Sequence, residues 1–158
     1  MPTLRPPIAE AVILIGIQAT GKSTFVRTRL FDSHARINLD MLGTRHRESL
    51  LLQACLAAGQ SFVVDNTNAS RSERASYITL AKQHGFVVVG YYFQSAIDEA
   101  LTRNATRDAG QRVPDLGVRG THARLQIPSL EEGFDRLHYV RMGSKQADYD
   151  FHIEDWQP

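Results

Sequence analysis

The chain has 158 residues, 42% hydrophobic and 22% charged, with a net charge of +1, a length that suits one domain burying about 70% of its unfolded surface. No apolar run approaches the ~18 residues of a membrane span, and the near-neutral balance excludes a protein that holds long duplex by bulk positive charge. Cys55 is the only cysteine, so there is no internal disulfide.

The lead-in Met1–Pro7 carries no signal-peptide apolar segment, and with the lone cysteine this leads to the expectation of a cytoplasmic protein. The first predicted strand, Val12–Ile17, runs into Gly16-Ile17-Gln18-Ala19-Thr20-Gly21-Lys22-Ser23-Thr24. Gly, four free positions and Gly-Lys-Ser is the phosphate-cradling P-loop. Gly16 and Gly21 allow backbone angles that let successive N–H groups converge on one anion. Lys22 adds a cation for the β/γ-phosphates, and the Ser23 hydroxyl suits Mg²⁺. Gln18, Ala19, Thr20 and Thr24 complete the expected phosphate cradle. A helix from Ser23 to Leu30 follows, which aims its N-terminus at the phosphates. ATP and Mg²⁺ are the expected cofactors.

Ala35–Leu39 alternates and ends at Asp40, as a second strand would. Glu48–Ala58 reads as a helix stopped by Gly59, and Cys55 falls on it as a small buried hydrophobe. Ser61–Val64 is a buried-strand run that delivers Asp65-Asn66-Thr67-Asn68 at its carboxyl end. Ser70 caps a helix to about His84, ended by Gly85. Phe86–Phe93 is the most strand-like run, Ser95 is placed as the next helix cap with Asp98 three positions later, and Leu137–Met142 supplies a last strand. Residues 107–120, with Gly110, Pro114, Gly117 and Gly120, read as a lid or as a plain surface connection. The expectation is one α/β domain over residues 1–158: a three-layer P-loop NTPase fold, five parallel strands with helices on both faces, and ligands beyond the strands' carboxyl ends.

Charge is uneven along the chain. Residues 21–47 hold Lys22, Arg27, Arg29, Arg36, Arg45 and Arg47 against Asp32 and Asp40, whereas the last 28 residues are mainly acidic. Such clustering focuses an anionic ligand locally. Phosphoryl transfer needs neutralised charge on the transferring group and a residue that deprotonates the nucleophile. Asp40 suits the second task if strand two neighbours strand one; its other reading is a helix N-cap, which is compatible with catalysis. Asp65 either holds Mg²⁺ through water or joins Asn66, Thr67 and Asn68 in binding substrate; the same three polar residues also suit turn backbone. Arg103 and Arg107, at i and i+4, share a helix face before the lid and make a candidate phosphate clamp. Arg112, Arg119 and Arg124 are weaker candidates. The six histidines lack zinc-ligand spacing.

From Val12 to Phe134 the chain resembles the kinase domain of the polynucleotide 5′-hydroxyl kinases of phage and animals. The resemblance rests on the P-loop, Asn38-Leu39-Asp40-Met41-Leu42-Gly43, Asp65-Asn66-Thr67-Asn68, Arg103-Asn104-Ala105-Thr106-Arg107 and Pro128-Ser129-Leu130-Glu131-Glu132-Gly133-Phe134, in that order. It implies that Asp40 takes the proton from a 5′-OH, with water-mediated contact to Mg²⁺ open to Asp40 or Asp65. It also implies that Lys22 and Arg107 contact the transferring phosphate, that Arg103 supports them, and that Ser23 sits near Mg²⁺. Two positions depart from the family: Leu39 stands where an Arg usually precedes the Asp, and Gly43 stands where the phage enzyme has a substrate-binding Arg. Arg45 or Arg47 is the nearest substitute. No segment is assigned to the phosphatase domain that the phage and animal enzymes carry. A 5′-OH nucleic-acid end is therefore the first acceptor expected, a small hydroxylated metabolite or antibiotic the second, and an ATP-binding module without catalysis the third. The oligomeric state is left open.

Overall fold

The computed structural model describes residues 8–143 and 150–158, so the lead-in Met1–Pro7 lies outside the described residues. Six strands form one sheet: β1 (Glu10–Ile15), β2 (Ala35–Ile37), β3 (Phe62–Val64), β4 (Val87–Phe93), β5 (Arg136–Met142) and β6 (Phe151–Asp155). Their spatial order is β2-β3-β1-β4-β5-β6. The first five are parallel, and β6 closes the β5 edge antiparallel, with Val140 opposite Ile153.

Two expectations are corrected here. The sheet has six strands, not five: Phe151 is 7% exposed and packs edge-on against Phe25 at 5.3 Å between ring centroids. That aromatic contact draws an otherwise acidic tail segment onto the sheet. Strand two also does not neighbour strand one, because β3 is inserted between them, with Ile13 and Ile37 both opposite Val64.

The pleat of β1 divides the core into two layers. Ala11, Ile13 and Ile15 face Leu52, Cys55 and Leu56 of α3 (Arg45–Ala58) and Tyr77, Ile78 and Ala81 of α4 (Arg71–Gln83). Val12 and Leu14 face the other way, against Phe25 of α1 (Lys22–Phe25) and Val26 and Leu30 of the wider π-helical turn that continues it. β1 is thus buried on both faces, which is why it reads as an unbroken apolar run. Gly90 on β4 has a packing role: a Cβ there would lie 2.7 Å from Leu137 and 2.8 Å from Phe134.

Helix ends follow capping chemistry. Thr44 accepts from the Arg47 N–H to start α3, and Gly59 stops it in the left-handed conformation; Ser70 accepts from the Glu73 N–H to start α4. Ser95 departs from expectation. The cap position of α5 (Ile97–Ala105) is Ala96, with no side-chain cap bond, because the Ser95 hydroxyl donates to Phe93 O and accepts from Ile17 N–H of the P-loop. The short α2 (Leu39–Leu42) is capped by Asn38, not Asp40. Residues 107–114 form a connection, and α6 (Asp115–Arg124) follows, so the back half of the expected lid is helical. Among the described residues no helix is long and apolar enough to cross a membrane.

Candidate active site

The carboxyl ends of β1, β2 and β3 open onto a cavity of about 830 Å³ that Gln18, Ala19, Lys22, Ser23, Asp40, Asp65 and Arg107 all line. At the P-loop, β1 ends and the chain turns sharply into α1. Gly21 starts that helix at φ 97°, and Ala19 also takes a left-handed φ of 60°, a strained choice for a residue with a Cβ. Gly16 N–H donates to Thr67 O at 3.0 Å and the Thr20 hydroxyl to Ile17 O at 2.9 Å. The loop is thus braced from outside and within. The N–H groups of Gln18 to Gly21 meet no backbone carbonyl among the described residues, as suits a nest for an anion.

Lys22 folds back over the loop, its Nζ donating to Gly16 O at 2.8 Å and Ile17 O at 2.6 Å. Burial lowers its pKa to about 8; the Asp65 charge opposes that shift and the Arg107 charge adds to it. Arg107 is half-buried at the cavity wall, and burial pushes its guanidinium down too. The expected pair separates here. Arg107 lines the cavity, whereas Arg103 turns behind it, onto Ala19 O at 3.4 Å and Glu99 at 3.5 Å. Between them Asn104, fully buried, donates to Val113 O and accepts from Val113 N–H. That clasp gives Arg-Asn-x-x-Arg a structural logic: the Asn ties down the connection that follows Arg107. Gln18 reaches α6, its Nε2 donating to Thr121 Oγ1 at 3.0 Å, while its Oε1 is buried without a partner. Thr24 lies off the cavity, its hydroxyl accepting from Arg27 at 3.3 Å.

Asp65 is 2% exposed; its Oδ2 accepts from Ser23 Oγ at 3.0 Å and from Arg36 Nε at 2.8 Å. Two hard oxygens from Ser23 and Asp65, already adjacent beside the P-loop, are a donor set that fits Mg²⁺. Among the described residues no group of three or more His, Cys, Asp and Glu could hold a metal; Mg²⁺ commonly takes one or two protein ligands plus phosphate and water.

The turn carrying Asp40 hangs from the end of β3. Asn38 Nδ2 donates to Asp65 O, its Oδ1 accepts from Met41 N–H at 2.8 Å, and Asn66 Oδ1 accepts from Leu39 N–H at 2.9 Å. The two asparagine-rich stretches of the sequence are thus one hydrogen-bonded unit. Asp40 itself is exposed to the cavity, and no side chain bonds its carboxylate among the described residues. Asn68, at 3% exposure, gives its amide to Leu14 O at 2.7 Å and so works inside the fold. Thr67 lines the cavity beside its carbonyl's bond to Gly16. Arg45 bonds both oxygens of Glu48 at 3.0 and 3.1 Å.

Several lining residues carried no sequence signal. Glu48 and Tyr77 looked like ordinary helix positions; Arg36, off the cavity and bonded to Asp65, looked like any strand residue, while Arg124, a weaker candidate above, lines the cavity and pairs with Glu73 at 3.2 Å. Tyr77 gives its hydroxyl to Glu48, and burial together with that bond pushes its pKa up to about 12. Arg74 is wholly buried beneath the wall. It donates to both Glu132 oxygens at 2.8 and 3.0 Å and to Asn68 O at 3.0 Å. The Pro128–Phe134 stretch thus buttresses the loop after β3 from behind.

The family model described as an AAA domain matches residues 12–128, most of the chain. The chain belongs to that family. This AAA domain is 27% identical over 135 residues to a bifunctional polynucleotide phosphatase/kinase of Schizosaccharomyces pombe, covering 83% of this chain and 33% of the relative. It is 29% identical over 143 residues to a putative bifunctional polynucleotide phosphatase/kinase of Acanthamoeba polyphaga mimivirus, covering 86% and 34%. The chain therefore spans about a third of the length of the curated relatives it matches. The resemblance read from the motifs stands. In fold it is also similar to a gluconokinase from Sinorhizobium meliloti, at a TM-score of 0.58 and 17% identity, covering 86% of this chain and 84% of that one.

Proposed function

We propose that the protein transfers the γ-phosphate of ATP to a hydroxyl, with the 5′-OH end of a DNA or RNA strand as acceptor. The observation that carries this reading is the Asp40 carboxylate, free of side-chain partners among the described residues, on the same cavity as Lys22, Ser23 and Arg107. In that reading the open N–H groups of the P-loop take the phosphates, and Lys22 leaves its two carbonyls to contact the transferring group. Arg107 offsets the charge that grows on it during transfer. Asp40 accepts the proton of the attacking hydroxyl as the new O–P bond forms and the bond to the ADP oxygen breaks. Ser23 and Asp65 would hold Mg²⁺, which would neutralise phosphate charge when bound. Residues 107–120 close over the donor and exclude water. The names of the curated relatives support a nucleic-acid acceptor.

A second reading, transfer to a small hydroxylated molecule, is favoured by the acceptor side of the cavity. Arg45 and Arg124 are each neutralised by a carboxylate, so little unpaired positive charge faces an acceptor. Phosphate transfer from labelled ATP to 5′-OH oligonucleotides and to small polyols tests both. Labelled oligonucleotide whose KM rises steeply with salt supports the first reading. Labelled polyol and bare oligonucleotide sink it in favour of the second.

A further inference from the structure

The acceptor wall holds a buried carboxylate that the transfer step above does not use. Glu48, in the first turn of α3, is 5% exposed. It accepts from Arg45 at 3.0 and 3.1 Å, from the Tyr77 hydroxyl of α4, and from Asn66 Nδ2 at 3.4 Å. A carboxylate only accepts, while an asparagine amide has one oxygen acceptor and one nitrogen donor. With its nitrogen on Glu48, Asn66 turns its oxygen toward Leu39 N–H, which donates at 2.9 Å. The flipped amide would set oxygen against carboxylate and N–H against N–H. Both contacts are repulsive, so Glu48 selects one Asn66 orientation.

Leu39 opens α2, and Asp40 is the next residue. A four-residue helix is too short to be stable by itself; its place is set by what ties it down. Those ties are the Asn38 bonds to Asp65 O and Met41 N–H and the Asn66 bond to Leu39 N–H at its start, and the Arg47 bond to Leu42 O at its end. The second of the two tethers to β3 thus traces back through Asn66 to Glu48, and from Glu48 to Tyr77 on a different helix. We propose that Glu48, backed by Tyr77, is a positioning residue for Asp40: it orients Asn66 so that the α2 turn holds the Asp40 carboxylate at the acceptor. The proposal rests on the reading of Asp40 as general base.

Two measurements on the full chain test it. In the free protein, with no substrate, amide hydrogen exchange at Leu39 should quicken about tenfold in Glu48→Gln and about threefold in Tyr77→Phe, the scale of one weakened hydrogen bond. Exchange in β1 should stay unchanged. Wild-type exchange at Leu39 in Glu48→Gln overturns the proposal. In phosphate transfer, Glu48→Gln should lower kcat about tenfold with the ATP Kd unaltered, and should have no further effect in an Asp40→Asn background. An equal further fall in that background means that Glu48 acts independently of Asp40 and overturns the proposal. Full activity of Asp40→Asn by itself refutes the general-base reading instead; the exchange rate at Leu39 then decides whether Glu48 holds the turn. Tyr77→Phe keeps the ring in the core, so the exchange arm survives if Glu48→Gln folds poorly.

Discussion

On the donor side of the cavity Lys22 and Arg107 meet no carboxylate within ion-pairing distance among the described residues, whereas on the acceptor side Arg45 and Arg124 are each ion-paired. The donor side also offers open backbone N–H groups from one short loop. The acceptor side is a wall of side chains from α3, α4 and the loop after β3, bonded mainly to one another. Unpaired buried cations are costly unless an anion arrives, so the donor half is prepared for a polyanion. The proposed acceptor half has already satisfied its own charges among the described residues, which in the proposed reading leaves selection to shape and hydrogen bonding. Asp40 lines the same cavity, on the turn that Asn38 and Asn66 hold.

Asp40→Asn is expected to give the largest effect, a fall in kcat of about 10²–10⁴, with ATP binding unchanged because Asp40 belongs to the acceptor side. Parallel kcat and ATP-titration measurements check it, and lost ATP affinity would merge the halves. Arg107→Ala should lower kcat by about 10³. Arg103→Ala should cost only about tenfold, the low end for a hydrogen bond from a charged group, because its bond to Ala19 O behind the cavity is long, at 3.4 Å. Equal losses would restore the two arginines to one clamp.

Lys22 gives an effect graded by pH, and its sign follows from its position. Its pKa stands at about 8 in the folded chain, below the ordinary lysine value of 10.5, through burial. Above about pH 8 the folded chain loses this proton while the unfolded chain keeps it up to 10.5. Stability from this group therefore rises with pH between those limits. ATP phosphates need the charged amine, so ATP affinity should be flat below pH 8 and fall about tenfold per pH unit above it, with proton uptake on binding. Titration calorimetry in buffers of different ionisation enthalpy reads that uptake. Affinity that holds level to pH 10 would mean that Lys22 does not contact the phosphates.

The same contrast explains what was legible. Apart from Arg107, the donor half comes from one contiguous stretch, Gly16–Ser23, whose spacing is dictated by backbone geometry around an anion, so the motif is complete in the sequence. Gly59 and Ser70 mark helix ends that the sequence shows, whereas Thr44 is legible as a cap only next to its helix, whose strong helix formers begin later, at Glu48. Ser95 was misassigned because its hydroxyl answers a distant demand, the Ile17 N–H of the P-loop. β6 was missed because its five residues include three acidic or histidine side chains, and its reason to pair is the Phe151–Phe25 contact across 126 positions. Glu48, Tyr77 and Arg74 left no trace because the bonds that tie them to the site, Glu48 to Asn66, Tyr77 to Glu48 and Arg74 to Glu132, span 18 to 58 residues.

By itself the sequence determined the strand–loop–helix at the P-loop, the parallel α/β class and the polar run that follows β3, whereas β2 stops at Ile37 and Leu39 and Asp40 belong to α2. The first three follow from local chemistry: apolar runs, glycine freedom, caps. Tertiary structure alone decided that β3 separates β2 from β1, that Asn38 and Asn66 share the suspension of Asp40, and that Arg107 but not Arg103 lines the cavity. Each depends on which surfaces meet once the two faces of β1 are buried, a cooperative outcome that no single stretch of chain encodes.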